Sequence, residues 1–261
     1  KSTMINILAN ICNKTSGRIS VCDLDFDKNR NKIKYQLGIV PQELVLDPFF
    51  TVREALEFYA GYYGVAKKNR KTQEIIDALG LADKADVKPR SLSGGMRRRL
   101  LIAKALVHDP KILILDEPTA GVDVDLRQQL WDYVKKLNKQ GVTIILTTHY
   151  LEEAEKLCDE VAIINKGKII AQDKTSQLKR IFGNRQLIVK LKNKIKAVPA
   201  SLKKDLDTIL LDSSKLVINF KTGDVDINKL LQILTKEKLA IEDFQVKESG
   251  LEEIFTYLVN Q

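Results

Sequence analysis

Sulfur and imidazole are scarce in this chain, with three cysteines (Cys12, Cys22, Cys158) and two histidines (His108, His149) in 261 residues. An odd number of thiols without metal-ligand spacing argues against a disulfide framework and a zinc site, and fits a reduced, cytosolic protein. Long hydrophobic runs are missing too. No apolar stretch approaches the roughly 18 residues that a membrane helix needs, so any role at a membrane is expected to be peripheral. The opening Lys1-Ser2-Thr3 has no apolar segment of the kind that marks a secretory signal. The net charge is +9, yet the basic residues are scattered, with only short clusters such as Lys67-Lys68-Asn69-Arg70-Lys71. A solvated face accounts for most of them better than a nucleic-acid stripe. At 44% hydrophobic residues the chain can bury one large core or two modest ones.

What is present concentrates between Leu92 and His149. Leu92-Ser93-Gly94-Gly95-Met96 leads into a basic, then apolar helical run, Arg97 to Ala103. The apolar strand Ile112-Leu113-Ile114-Leu115 ends in Asp116-Glu117-Pro118. A second apolar strand, Val142 to Leu146, delivers Thr147, Thr148 and His149. Buried strands that each end in titratable residues place chemistry at the carboxyl edge of a parallel sheet, where α/β folds bind ligands. Two adjacent carboxylates at a buried strand end repel unless a cation or proton intervenes. Ser93-Gly94-Gly95 opens a helix, and free N–H groups with a macrodipole of about half a charge make such an end a ready anion site.

The order and wording of these pieces resemble the nucleotide-binding subunit of ABC transporters. Met96, before basic residues, is the variant frequent in ATPase subunits of bacterial ABC-2-type exporters. The fold implied is α/β: a P-loop NTPase of ABC type, a mostly parallel sheet with flanking helices and a helical subdomain, followed by a small C-terminal α+β domain. Lys1-Ser2-Thr3 and the helical Met4 to Leu8 look like the end of a P-loop, whose lysine reaches the β- and γ-phosphates and whose hydroxyl ligates Mg2+. The glycines of that loop would precede Lys1, so the sequence is expected to be N-terminally truncated, and without them to be inactive. By the same resemblance Lys1, Ser2, Thr3, Ser93, Gly94, Gly95 and Asp123 bind nucleotide, while Ser2, Gln42 and Asp116 serve the metal. Glu117 would be the general base for the attacking water, assisted by His149 and Gln42. The cofactors implied are ATP and Mg2+.

Along the chain, Arg18 to Val21 and Leu37 to Val40 read as strands, the second ending at Pro41-Gln42. Thr51-Val52-Arg53-Glu54 is a capping box that starts a helix through Ala60. A helix from Thr72 to Leu79 stops at Gly80. The helical insert spans about residues 50–90, and its aromatics Phe49, Phe50, Phe58, Tyr59, Tyr62 and Tyr63 serve either a core or the docking of a membrane subunit's helix. Leu126, Leu130, Val134 and Leu137 mark a helix from Asp125 to Gln140. His108, at a helix end, has the structural role of a favourable C-terminal charge.

A helix over Leu151 to Leu157 and a hairpin around Asn165-Lys166-Gly167 complete an ATPase domain expected over residues 1–180. Residues 183–261 are expected to form the accessory α+β domain, with strands at Gln186 to Leu191, Leu216 to Phe220 and Ile241 to Val246 and helices at Ile227 to Leu234 and Leu251 to Leu258. The partners implied are a transmembrane permease and a second ATPase subunit, on the cytoplasmic face of the membrane. Two other readings compete: a soluble ABC ATPase acting on ribosome or nucleic acid, and a catalytically inactive fragment.

Overall fold

The computed structural model describes the chain except residues 123, 183, 200, 201, 203–206, 222–226, 238, 249, 260 and 261. It begins with α1 (Ser2–Leu8), the two-residue strands β1 (Ser20–Val21) and β2 (Leu24–Asp25), α2 (Phe26–Lys34) and β3 (Leu37–Val40). After α3 (Val52–Tyr62) and α4 (Thr72–Ala78) come α5 (Gly94–Leu106), β4 (Ile112–Asp116), α6 (Val124–Lys139) and β5 (Thr143–Thr147). Strands β3, β4 and β5 form a parallel sheet in that order, Val40 facing Leu115 and Asp116 facing Thr147.

Strand β4 shows why the sheet sits in the middle. Leu113, Ile114 and Leu115 are all at most 1% exposed, so the strand is buried on both faces and needs no polar alternation. Leu113 and Leu115 feed one core, shared with α3, α4 and α5. Ile114 feeds the other, with Ile5 of α1 and Phe26 and Ile33 of α2. Each such side chain contributes about 1.5–3 kcal/mol on burial. The result is a three-layer α/β unit.

Capping chemistry sets the start of α3. The Thr51 hydroxyl accepts from Glu54 N at 3.2 Å, and the Glu54 carboxylate accepts from Thr51 N at 2.8 Å, so the expected box is present in both directions. Val52 and Arg53 then donate to the carbonyls of Val87 and Ala85, closing the helical insert on itself. Its aromatics divide. Tyr59 and Tyr63 pack against the core, while Phe49, Phe58 and Tyr62 are more than half exposed.

Packing divides the chain at His149 and Tyr150. The second unit opens with α7 (Leu151–Leu157), the hairpin β6 (Glu160–Asn165) and β7 (Lys168–Lys174), and α8 (Thr175–Phe182). Lys166 and Gly167 both have positive φ, the two-residue turn that matches strand twist. Then follow β8 (Asn184–Leu191), β9 (Asp207–Asp212), β10 (Lys215–Lys221), α9 (Ile227–Lys236), β11 (Ile241–Glu248) and α10 (Leu251–Val259).

The antiparallel sheet β11-β8-β10-β9 turns Leu187, Val189, Leu216 and Ile218 inward under Leu230 and Leu234 of α9. The division falls ahead of residue 180, where the sequence changes texture, because Ala154, Ile163, Leu178, Leu251 and Ile254 share one core. The C-terminal helix thus packs with α7 and α8 as well as following the antiparallel sheet in sequence. Strand β9 was not expected. Its Ile209, Leu210 and Leu211 form an unbroken apolar run between aspartates and carry no period-two signal.

Candidate active site

The parallel strands end together, and their last residues meet. Asp116 closes β4 at 6% exposure and accepts a short hydrogen bond from the hydroxyl of Thr147, its register partner on β5. Glu117 follows with φ +48, a left-handed conformation that costs a non-glycine residue roughly 1–3 kcal/mol and concentrates at functional sites. In that bend its N–H is held by Thr147, 3.0 Å from the carbonyl and 3.3 Å from the hydroxyl.

The Glu117 carboxylate then gathers the other polar ends. Gln42, just beyond β3, donates from Nε2 to Oε2 at 2.9 Å. Nδ1 of His149 lies 3.2 Å from the same oxygen. Glu117 has 21% of its side chain exposed and His149 has 53%, so the cluster opens to solvent on one side and is seated on a buried strand end on the other.

Lys1 reaches the same edge. It caps α1, and its Nζ donates to Thr148 O at 2.9 Å. Ser2 and Thr3 form the exposed first turn of α1, which is anchored by Ile5 against the sheet. The structure therefore brings together Lys1, Gln42, Asp116, Glu117 and His149, residues drawn from four separate segments. Asp123 lies outside the described residues.

Ser93, Gly94 and Gly95 sit at the start of α5, with the Ser93 hydroxyl accepting from Met96 N at 3.3 Å. The two glycines differ. A Cβ on Gly94 would meet nothing within 4 Å, whereas one on Gly95 would come within 2.6 Å of Leu126 Cδ1. Gly94 thus leaves an open approach to the helix N-terminus, and Gly95 lets α6 pack close. Among the described residues no hydrogen bond joins this tripeptide directly to the Glu117 cluster.

Sequence reasoning missed Arg98. It is 3% exposed, and its guanidinium donates to Pro41 O at 2.7 Å and Gln42 O at 2.8 Å. Burial lowers its pKa, while Asp116 and Glu117 act in the opposite sense. The signal was available: position 98 falls three, four and seven residues before Leu101, Ile102 and Ala105, all buried. His108 is a correction. It lies flat on Tyr63, ring centroids 3.8 Å apart, with Nε2 3.1 Å from Leu37 O. Burial lowers its pKa, so it works as a neutral packed ring rather than as a charge at a helix end.

A strand-end carboxylate pair, a lysine at the start of a helix against the same sheet edge, and a glycine-opened helix are the arrangement with which an α/β fold binds a phosphorylated ligand. The sequence profile described as ABC transporter matches residues 1–120. The linearmycin resistance ATP-binding protein of Bacillus subtilis (strain 168) is 34% identical over 268 residues, covering 100% of this chain and 86% of that protein. The Nod factor export ATP-binding protein I of Ralstonia nicotianae is 39% identical over 180 residues, 68% of this chain and 56% of its own length. This chain therefore spans little more than half of the Nod factor protein.

Among solved structures, an ATP binding subunit of an ABC transporter superposes with a TM-score of 0.63 at 26% identity, over 70% of this chain and 77% of that one. A dimeric ATP-binding cassette in a post-hydrolysis state with ADP and Pi gives 0.59 at 26% identity, over 66% and 79%. The chain belongs to the ABC transporter family, as one of its ATP-binding subunits with the P-loop NTPase fold.

Proposed function

We propose that this chain hydrolyses ATP to drive an ABC-2-type membrane exporter, two copies enclosing two nucleotides between P-loop and signature motif. The convergence of Gln42 and His149 on Glu117, beside buried Asp116, carries the reading. Glu117 accepts the proton of the attacking water. Gln42 and His149 hold the carboxylate's other oxygen, so its free oxygen faces one direction, and positioning of this kind supplies much of phosphoryl-transfer catalysis. Lys1 would move from Thr148 O to phosphate oxygens, and Ser93 to Gly95 would meet the γ-phosphate held by the second copy, with Asp123 at the interface between copies.

The chemistry of the donor set fits Mg2+. Asp116 has its Oδ1 engaged by Thr147, and no hydrogen bond among the described residues takes Oδ2. Ser2 and Gln42 add a hydroxyl and an amide oxygen, hard donors of the kind this ion prefers. Among the described residues no cluster of three or more His, Cys, Asp or Glu could hold a metal alone, which suits an ion that is held partly by substrate phosphates. When bound it neutralises charge developing on the β- and γ-oxygens. Turnover of ATP by the full-length protein should therefore require Mg2+ and vanish with chelation. Failure to turn over ATP with its membrane partner present would sink the proposal.

The described residues contain no helix long and apolar enough to cross a membrane, and the permease partner follows from the family. Its docking site would be the groove of about 490 Å3 between α2, α3 and α5. Tyr59, Tyr62 and Tyr63 line it together with Arg30, Lys34 and Lys104, and no acidic residue does. Lys34 lies over Tyr62 and Lys104 over Tyr59. A permease helix with a carboxylate among apolar residues fits this lining. Reversing both lysines, Lys34→Glu with Lys104→Glu, should abolish co-purification with the permease; retained co-purification would move the docking site elsewhere. The relative named for Nod factor export supports export as the direction.

The family resemblance and the scattered basic charge favour this reading over a ribosome or nucleic-acid ATPase. Residues 1–180 would be the ATPase domain and 183–261 an accessory domain, with the subunit on the cytoplasmic face of the membrane.

A further inference from the structure

The three consecutive arginines of α5 hold three different loops. Arg97 donates to the carbonyls of Pro89 and Arg90, at 3.0 and 2.9 Å, and Arg99 to that of Leu79 at 2.9 Å. Arg98 alone of the three reaches the loop that carries Gln42, and it does so with a two-pronged grip on consecutive carbonyls. It is also the buried one, on the apolar stripe of the helix. For packing alone a leucine or methionine would fill that position without desolvating a charge. Pro41 has no N–H to anchor the loop, and Gln42 is itself exposed, so these two bonds set where the Gln42 backbone sits.

We propose that Arg98 is a positioning residue for hydrolysis: its guanidinium fixes the Pro41-Gln42 backbone so that Gln42 Nε2 stays on Glu117, and it ties that carboxylate to the helix opened by Ser93-Gly94-Gly95. The inference rests on the ATPase reading above and adds a link to it. One rigid helix has the glycine-opened phosphate site at its first turn and the grip on the Gln42 loop one turn later. Any shift of α5 when its N-terminus engages nucleotide is then passed to the side chain that orients the base. Lysine cannot reproduce the fork, because its three donors leave a single point.

The test is a double-mutant cycle in the full-length protein: Arg98→Met and Arg98→Lys, each alone and combined with Gln42→Ala, with Arg99→Lys as a control for loss of an arginine-to-carbonyl tie. Arg98→Met should lower kcat roughly tenfold to a hundredfold, the scale of a misplacement near 1 Å, while KM for ATP stays nearly constant. Arg98→Lys should recover part of that loss, and Arg99→Lys should turn over like the unmodified protein. Adding Arg98→Met to Gln42→Ala should cost nothing further, since Arg98 acts through the Gln42 side chain and residues acting as one unit are non-additive.

Multiplied losses in the double variant, or a raised KM at unchanged kcat, would overturn the proposal. If Arg98→Met does not fold, the Arg98→Lys arm of the cycle decides on the same criteria. An unmodified protein without turnover would instead remove the ATPase reading, and this inference with it.

Discussion

Glu117→Gln should lower kcat for ATP hydrolysis by roughly 10²–10⁴, the range spanned by a positioned general base, while ATP affinity stays close to that of the unmodified protein. Two features of the site set this expectation apart from a general loss of structure. The bend at Glu117 is held by backbone, its N–H on Thr147, and a glutamine keeps that bond. A glutamine side chain can also still accept from Gln42 through its own amide oxygen, so the 2.9 Å contact has a substitute. Only the capacity to take a proton is removed. The measurement pairs single-turnover kinetics with nucleotide-binding titration and a melting temperature. Unchanged turnover would reassign the base, and a melting temperature several degrees lower would show that the carboxylate holds the fold as well.

The same contrast explains what was legible in the sequence. Asp116, Glu117 and His149 could be found because each ends an apolar run, and the sheet's parallel register then had to bring them to one edge. Gln42 follows the third such strand. Their convergence on a single carboxylate oxygen was not legible, since it depends on side-chain reach across the strand ends. Arg98 was hidden among identical neighbours; three arginines in a row look like a charged surface, and only the phase of the helix shows which is inside. The stacking of His108 on Tyr63 joins residues far apart in sequence with no local pattern. The packing division at Tyr150 depends on which distant helix fills the space beside Ala154 and Leu178, a tertiary choice that local texture does not encode.

Gly38 makes the same point with a measurable consequence. In an exposed strand, replacing glycine by alanine would stabilise by restricting the unfolded chain. Gly38→Ala should do the reverse. A Cβ at that position would lie 2.4 Å from the carbonyl oxygen of Ala105 on α5, 3.0 Å from Pro110 Cγ and 3.1 Å from Leu113 Cδ1. The first of these is backbone within a helix and cannot rotate away, so β3 and α5 must separate. Overpacking of this kind costs typically about 1–3 kcal/mol, and the melting temperature falls by about 2–4 °C for each kcal/mol in a chain of this size.

Turnover should fall with stability, because β3 leads to Pro41 and Gln42 while α5 carries the Arg98 that grips them. Separating the two elements strains both bonds at once. A melting temperature equal to or above that of the unmodified protein would mean that α5 does not sit against β3 as described. Lowered stability with full turnover would mean that the grip on Gln42 survives the shift, and the Arg98 link would then be too slack to transmit one.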